Sequence, residues 1–225
     1  MKVITIAAPK GGTGKSNTAA VLSARAATET ARTRNRGGVA MIDLNEDQAT
    51  LTQWWTLRGR PVNPYLLKDG GTLDEDIKIL ASDGWDYCVI DGPPYDMDMI
   101  EMTVVLASVV IIPVKLAFSD ISAIDAIVDM CKRRRRPFAF VVNEYDARQT
   151  FKSVNNEALA LLTGRGPILK ARISYHPKYR AGQMEGKTGP ELDDKLAKEV
   201  DKLWSEVKAL AGVKTTLTVV GKSND

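Results

Sequence analysis

The stretch that decides the fold is Ala8-Pro9-Lys10-Gly11-Gly12-Thr13-Gly14-Lys15-Ser16-Asn17, close to the start of the 225-residue chain. The apolar run at residues 3–7 predicts a buried strand before it, and residues 16–31 predict a helix after it. Glycines let backbone N–H groups approach phosphate oxygens closely, and a helix N-terminus adds partial positive charge. A strand, a glycine loop and a helix in this order therefore predict a site for a polyphosphate.

Several side chains of this loop suit particular parts of such a ligand. Lys15 is expected to place its charge on the β- and γ-phosphates, and the Ser16 hydroxyl is expected to ligate Mg²⁺. The other predicted contacts of the loop and helix start come from Gly11, Gly12, Thr13, Gly14 and Asn17.

A second lysine, Lys10, opens the loop where an ordinary phosphate-binding loop requires no charge. The resulting sequence, Lys-Gly-Gly-Thr-Gly-Lys-Ser, resembles the deviant Walker A motif of the ParA/MinD family of ATPases. In that family the first lysine crosses a dimer interface to the nucleotide of the partner. The resemblance implies the same role for Lys10, with ATP and Mg²⁺ as the cofactors.

Two further predicted strands end in a carboxylate. Residues 39–43 end at Asp43, and the strand that ends at Asp91 is followed at once by Gly92-Pro93-Pro94. An acid at the carboxyl end of a parallel strand faces the ligand crevice. In the resembled family Asp91 matches the Walker B aspartate, which holds the metal and senses the γ-phosphate as the chain enters switch II.

The residues after Asp43 depart from the family pattern, which continues Asp-x-Asp-Pro-Gln and uses its second aspartate to orient the attacking water. This chain reads Asp43-Leu44-Asn45-Glu46-Asp47-Gln48. Either Asn45 takes that place, or a one-residue insertion brings Glu46 or Asp47 into it. An amide can hold a water but cannot accept its proton, so hydrolysis is expected to be slow. The predicted catalytic residues are Lys10, Lys15, Asp43, Asn45 and Glu46.

The predicted strand at residues 138–143 ends in Asn143, whose amide offers both a donor and an acceptor. The resemblance places this asparagine at the adenine. From the residues alone, an asparagine that forms a turn after the strand is an almost equal interpretation.

Composition excludes several classes of protein. No apolar run approaches the ~20 residues that span a bilayer, and the charged, glycine-rich start is not a signal peptide, so a cytoplasmic location is expected. Cys88 and Cys131 form no C-x-x-C pair and are predicted to be core thiols. His176 is the only histidine, which leaves no imidazole metal cluster, and its segment is predicted to be a loop.

Alternating apolar strands and helices, with acids and glycines at the strand ends, predict an α/β fold: a three-layer, doubly wound, mostly parallel sheet. Residues 1–211 are expected to form one domain, and residues 212–225 a flexible tail. Further strands are predicted at residues 65–67, 108–114 and 168–171, and further helices at 48–57, 73–82, 120–131, 151–162 and 190–210. Trp54 and Trp55 are predicted to pack in the core rather than stack on bases.

The charge is unevenly distributed, with a net −5 over residues 1–130 and +8 over residues 131–225. A basic half in a nucleotide-binding protein indicates a polyanion partner. The run Lys132-Arg133-Arg134-Arg135-Arg136 could contact DNA or simply offset a helix dipole. The last predicted helix carries four more lysines that could touch phosphates or be solvated, namely Lys195, Lys198, Lys202 and Lys208.

The resemblance implies a short ParA-like ATPase. Mg·ATP would bring two copies together as a homodimer, the dimer would bind DNA without sequence preference, and a ParB-like or cargo adaptor protein would stimulate hydrolysis. The output would be positioning of a plasmid, a chromosome or a protein assembly along the nucleoid. No membrane partner is expected, since a basic amphipathic terminal helix is missing. Two other classes stay open: a small-molecule ligase of the dethiobiotin synthetase type, and an ATP-holding module with little turnover.

Overall fold

The centre of the fold is a sheet of six parallel strands. It was analysed in a computed structural model that describes residues 1–30, 37–45, 47–67, 71–146 and 152–213, without the side chains of 152–154. In chain order the strands are β1 Lys2–Ile6, β2 Val39–Asp43, β3 Tyr65–Leu66, β4 Tyr87–Asp91, β5 Val109–Val114 and β6 Phe138–Val142. The helices are α1 Lys15–Thr30, α2 Thr50–Leu57, α3 Leu73–Ser82, α4 Met97–Leu106, α5 Phe118–Ala123, α6 Asp125–Arg133, α7 Lys152–Thr163, α8 Pro177–Met184 and α9 Asp194–Leu210.

The strands lie in the order β3-β2-β4-β1-β5-β6, and every pair is parallel. Ile4 of β1 is paired with Val89 on one side and Val109 on the other, and the core of the sheet is buried on both faces. Such burial explains why the central strands are continuous apolar runs. The predicted three-layer, doubly wound fold is confirmed, with a fully parallel sheet.

The parallel arrangement brings the carboxyl ends of all strands to one edge, which we call the carboxyl edge. The register places Asp43 beside Asp91 there, because β2 and β4 are neighbours although 47 other residues separate these two aspartates in sequence. The glycine loop follows β1, which lies between β4 and β5 in the sheet. The sheet order, rather than the sequence, therefore assembles the candidate site.

Helix α9 covers the side of the sheet that carries α1. Its apolar stripe is buried as predicted, and Trp204 meets Tyr87 edge to face with the ring centres 4.9 Å apart. The Trp204 Nε1–H donates to Glu29 of α1 at 2.9 Å, and Lys208 is paired with the same carboxylate at 2.8 Å. Lys208 is therefore committed to packing α9 on α1. Trp54 and Trp55 are buried too, which confirms their predicted packing role.

Several sequence predictions about elements were wrong. The predicted helix at 120–131 is two helices, α5 and α6, that meet at Ile124. The predicted strand at 168–171 makes only an isolated bridge from Ile168 to Phe140. Helix α4 was not predicted; it starts where the Asp96 side chain accepts a hydrogen bond from the Met99 N–H.

The end of the chain also differs from its prediction. The segment after residue 175 is not a loop, because His176 caps α8 by accepting from the Lys178 N–H, with Pro177 in the first turn. The predicted helix at 190–210 starts at Asp194, since the Asp193 side chain caps it, and a 3-10 turn at Gly189–Glu191 precedes it. The predicted tail lies outside the described residues after Val213.

The basic run after α6 is partly engaged inside the fold. Arg134 is paired with Glu101 of α4 at 2.9 Å, and Arg136 donates to the Val105 carbonyl. Helix α6 lies between β5 and β6 in sequence, so its end and this run lie at the amino edge, opposite the glycine loop. Both cysteines are buried free thiols, as predicted. None of the described helices is long and apolar enough to cross a membrane.

Candidate nucleotide site

A cavity of about 250 Å³ opens at the carboxyl edge beside the glycine loop. One wall is the loop and the start of α1, and the opposite wall is the segment that leads into α8. The lining residues are Gly11, Gly12, Gly14, Lys15, Ser16, Asn17, Asn45, Gln48, Thr50, Pro94, Asn143, Glu144, Ile173, Ser174, Tyr175, His176, Tyr179, Arg180 and Gln183. Most of the residues predicted to bind the ligand thus lie around one cavity.

The glycine loop is held in shape by its own lysine. The Lys15 ammonium donates to the Lys10 carbonyl at 2.9 Å, and the Lys15 side chain is almost fully buried. Burial lowers the pKa of Lys15, and the nearby Asp91 carboxylate opposes this effect. A buried cation whose hydrogen-bond partner among the described residues is a carbonyl favours the arrival of an anion, such as a phosphate group.

Asn143 braces the loop from the end of β6. Its Nδ2–H donates to the Thr13 carbonyl at 2.8 Å, and the side chain is buried. Gly14 makes this approach possible, because a Cβ at that position would lie 2.1 Å from Asn143 Nδ2. Asn143 also lines the cavity, so its predicted contact with adenine stays a prediction beside this structural role.

Asp91 is the buried acid of the site. Neither of its oxygens has a hydrogen-bond partner within normal limits among the described residues. Burial raises the pKa of Asp91 to about 7; Asp43 adds to the rise, whereas the Ser16 hydroxyl and Lys15 oppose it. A buried carboxylate beside a serine hydroxyl is a donor set that suits a hard divalent cation. The chemistry of these residues therefore fits the predicted Mg²⁺.

The acids and amides at the end of β2 and after it occupy different places in the structure. The Asp43 carboxylate accepts from the Thr52 N–H at 2.9 Å and from the Thr52 hydroxyl at 2.8 Å, so it fixes the first turn of α2. Asn45 is buried and lines the cavity together with Gln48. Asp47 is exposed, and Glu46 lies outside the described residues.

Lys10 lies at the rim of the site with its side chain 38% exposed. Its ammonium is paired with the Asp120 carboxylate of α5 at 3.2 Å. The next residue, Gly11, donates its N–H to the Tyr95 hydroxyl at 3.4 Å. The loop thus contacts the segments that follow β4 and β5 through groups that differ from those that hold Lys15.

Comparison with known proteins identifies the family. Residues 4–188 match the model of the CobQ/CobB/MinD/ParA nucleotide binding domain. The chain belongs to this family. Comparison with curated protein sequences found no match.

Solved structures agree with the ParA/MinD fold. MinD of Aquifex aeolicus superposes with a TM-score of 0.71 at 19% identity, over 96% of this chain and 100% of that one. MinD of Pyrococcus horikoshii, complexed with Mg-ADP, superposes with a TM-score of 0.70 at 23% identity, over 96% of this chain and 99% of that one. A Cyanothece McdA variant in complex with ATP superposes with a TM-score of 0.68 at 19% identity, over 96% of this chain and 98% of that one. These likenesses show that the chain shares the fold of MinD and McdA.

Sequence reasoning missed several residues of this ParA/MinD site. Asp120 and Tyr95 were not predicted to take part. The resemblance does imply nucleotide contacts for the segment from Tyr175 to Arg180, which lines the cavity. Asp120 and Tyr95 each lie a few residues beyond a strand end, where the spacing carries no local signal. The one signal that could have indicated them is that the segments after the carboxyl ends of parallel strands meet at one edge of the sheet.

Proposed function

We propose that the protein is a ParA-like ATPase in which ATP and Mg²⁺ bring two copies together, and in which the dimer binds DNA without sequence preference. Hydrolysis, stimulated by a cargo adaptor protein, releases the DNA. The cycle positions a plasmid, a chromosome or a protein assembly along the nucleoid, in the cytoplasm.

The observation that carries this proposal is the pair of lysines in one loop. Lys15 is buried against the loop and suits the phosphates of its own subunit. Lys10 is partly exposed at the rim and points to Asp120. One triphosphate needs one such lysine, so a second, exposed one is suited to the phosphates of another copy. On dimerisation Lys10 exchanges Asp120 for those phosphates.

The residues that would hold Mg²⁺ are Ser16 and Asp91. When bound there, the ion would supply charge that offsets the phosphates. Around it, this chain places Asn45 and Gln48 on the cavity wall, where their amides can orient a water but cannot take its proton. Slow hydrolysis is therefore the expected basal state, and Glu46 stays a predicted participant.

Paired and unpaired cations distinguish two candidate DNA surfaces. Lys195, Lys198 and Lys202 lie one helical turn apart or nearly so on the exposed face of α9, and none forms an ion pair within the described ranges. The run at 132–136 has two of its five cations bound to α4 and lies at the amino edge. The α9 lysines are therefore the better candidates for phosphate contacts.

The proposal is tested by retention of the protein on unrelated DNA fragments with ADP, ATP or a slowly hydrolysed ATP analogue. We expect retention only with triphosphate, and its loss in Lys10→Ala. Lys78→Ala is a matched control, because Lys78 is an exposed, ion-paired lysine on α3 outside the cavity. Equal retention with all nucleotides would contradict the switch.

A second function, an ATP-holding module with little turnover, is favoured by one observation. Among the described residues that directly follow β2, those that line the cavity are Asn45, Gln48 and Thr50, and none of these is an acid. Steady-state phosphate release, with and without DNA, separates the two functions. Release that stays at background under all conditions, while ATP still binds, would favour the module.

A further inference from the structure

Glu199 is an acidic residue of α9 that the steps above have not used. One of its carboxylate oxygens, Oε1, accepts from the Ser174 hydroxyl at 2.7 Å. The other oxygen, Oε2, is buried and has no hydrogen-bond partner among the described residues. A buried carboxylate oxygen without a partner costs free energy, so a second donor that reached it would be held strongly.

The serine that Glu199 holds belongs to the wall of the nucleotide cavity. Ser174 lines that cavity, and it also lines a second cavity of about 650 Å³ beside the start of α9. Glu199 and Lys195 line the second cavity but not the first. The hydrogen bond from Ser174 to Glu199 therefore joins the wall of the nucleotide cavity directly to α9.

Tyr179 is a second wall residue that approaches the same carboxylate. It lies on α8, it lines the nucleotide cavity, and its hydroxyl is buried without a hydrogen-bond partner in the described part of the chain. Burial raises the pKa of Tyr179, and the nearby Glu199 carboxylate adds to the rise, so the hydroxyl keeps its proton. A donor on the wall thus lies near an acceptor on α9, and neither has another partner among the described residues.

The position of Glu199 on α9 connects it with the candidate DNA surface. Lys195 precedes it by four residues and Lys202 follows it by three, so both are its neighbours on the surface of the helix. A contact that fixes Glu199 also fixes the turns that carry these two lysines.

We propose that Glu199 is the positioning residue through which the nucleotide cavity acts on the lysines of α9. The inference rests on the proposed function, because it assigns the link between the two sites of that cycle. Glu199 holds Ser174 alone in this structure. A triphosphate that moves α8 lets the Tyr179 hydroxyl donate to the second oxygen, and the added bond fixes Lys195 and Lys202 for phosphate contacts. Coupling between distant sites is carried by groups that have two such discrete arrangements.

Glu206 supplies a matched control on the same helix. Its carboxylate accepts from the N–H groups of Lys170 and Ala171 at 2.8 and 2.9 Å, so it too anchors α9 to the segment after β6. It lines neither of the two cavities. Loss of Glu206 therefore removes an anchor of α9 without removing a contact to the nucleotide wall.

The experiment measures the affinity for unrelated DNA fragments with the slowly hydrolysed ATP analogue and with ADP, and takes the ratio of the two affinities. We expect this ratio to fall by about fivefold or more in Glu199→Ala and in Tyr179→Phe, which removes only the hydroxyl. Glu206→Ala should keep the wild-type ratio. Light scattering with the analogue should give the mass of the dimer for every variant.

Linkage supplies a reciprocal measurement. DNA should raise the affinity of the wild type for the analogue by the same factor by which the analogue raises its affinity for DNA. This gain should fall in Glu199→Ala to the same extent as the ratio, which a merely structural anchor would not require.

The outcomes separate this inference from the proposed function. A wild-type ratio in either Glu199→Ala or Tyr179→Phe would overturn the inference and leave the proposed function standing. An equal fall in Glu206→Ala would overturn it too, since any loosening of α9 would then have the same effect. Loss of dimers in Glu199→Ala would assign the effect to pairing and also overturn it. A wild type that binds DNA equally with both nucleotides would overturn both.

Discussion

Asp91 is the residue in which burial and charge conflict most directly. Its carboxyl is fully buried, and its pKa is raised to about 7, whereas an aspartate in an unfolded chain titrates near 4. The folded protein therefore binds a proton at Asp91 more tightly than the unfolded chain between these two values. Linkage then requires that rising pH lowers the free energy of unfolding in this range.

We expect the free energy of unfolding of the nucleotide-free, metal-free protein to fall by about 2–4 kcal/mol from Asp91 as the pH rises from about 4 to about 7. The carboxylates with lowered pKa, such as Asp193 and Glu191, act below this window. Asp91→Asn should abolish the fall between pH 5 and 7, as measured by urea unfolding. An unchanged slope in the variant would assign the pH dependence to other groups.

Two glycines of the loop offer a matched pair of substitutions. Both have positive φ, 76° at Gly12 and 96° at Gly14, so alanine is strained at either position. A Cβ at Gly12 meets nothing within 4 Å, whereas one at Gly14 meets Asn143 Nδ2 at 2.1 Å. The difference in the free energy of unfolding between the two alanine variants therefore isolates the contact with Asn143.

Gly12→Ala should lower the free energy of unfolding by about 1 kcal/mol, and Gly14→Ala by about 3 kcal/mol, because the second change also displaces Asn143 from Thr13. Denaturant unfolding measures both. In an Asn143→Ala background the extra cost of Gly14→Ala should largely disappear. If it persists there, the strain lies in the loop backbone instead.

At the scale of elements, α2 joins the nucleotide cavity to the segment before α9. Its first turn is fixed by the Asp43 carboxylate, and its end is clamped by Arg58. The Arg58 guanidinium donates to Glu191 at 2.7 and 3.0 Å and to the Gly186 carbonyl at 3.0 Å. Glu191 also accepts from the N–H and the hydroxyl of Thr188, and its pKa is lowered although burial opposes this.

We expect Glu191→Ala to lower the free energy of unfolding by about 1–3 kcal/mol, because it leaves the partly buried Arg58 and the Thr188 N–H without a carboxylate. Glu185→Ala is the control, since its pair with Lys187 at 2.9 Å is exposed and should contribute less than about 0.5 kcal/mol. Denaturant unfolding compares them. Equal effects would show that the clamp adds nothing beyond an ordinary surface pair.

At the scale of the whole molecule, the distribution of free cations decides where a polyanion could bind. The positive charge of residues 131–225 is a net count over that half, and its individual cations differ in whether they form ion pairs. Lys178 is paired with Asp193, Lys187 with Glu185 and Arg165 with Asp125. The triplet Lys195, Lys198 and Lys202 keeps its charge exposed on α9.

Replacing this triplet with alanine should weaken ATP-dependent binding to unrelated DNA fragments and reduce its dependence on salt. Each lost phosphate contact lowers the slope of log K against log[salt] by about 0.9. Replacing Lys132, Arg133 and Arg135, the exposed members of the basic run without an ion pair within the described ranges, should leave the slope nearly unchanged. The reverse result would move the DNA surface to the amino edge.

The sequence alone determined the glycine loop, the buried strands and the acids that end them, and hence the fold and most of the cavity wall. These features are local, because a glycine's φ or an apolar run depends on neighbours within a few residues. Some local signals were still misread: Asp193 and His176 cap helices, which moved the start of α9 and turned a predicted loop into α8.

Only the tertiary structure decided which distant groups meet. The hydrogen-bond partner of Asn143 lies 130 residues away in sequence, and that of Lys10 lies 110 residues away. It also decided that Lys208 and Arg134 are engaged, whereas Lys195 is exposed without an ion pair within the described ranges. The reason is physical: the order of strands in the sheet sets these contacts, and that order depends on how whole faces of helices and strands pack, which no short stretch of sequence encodes.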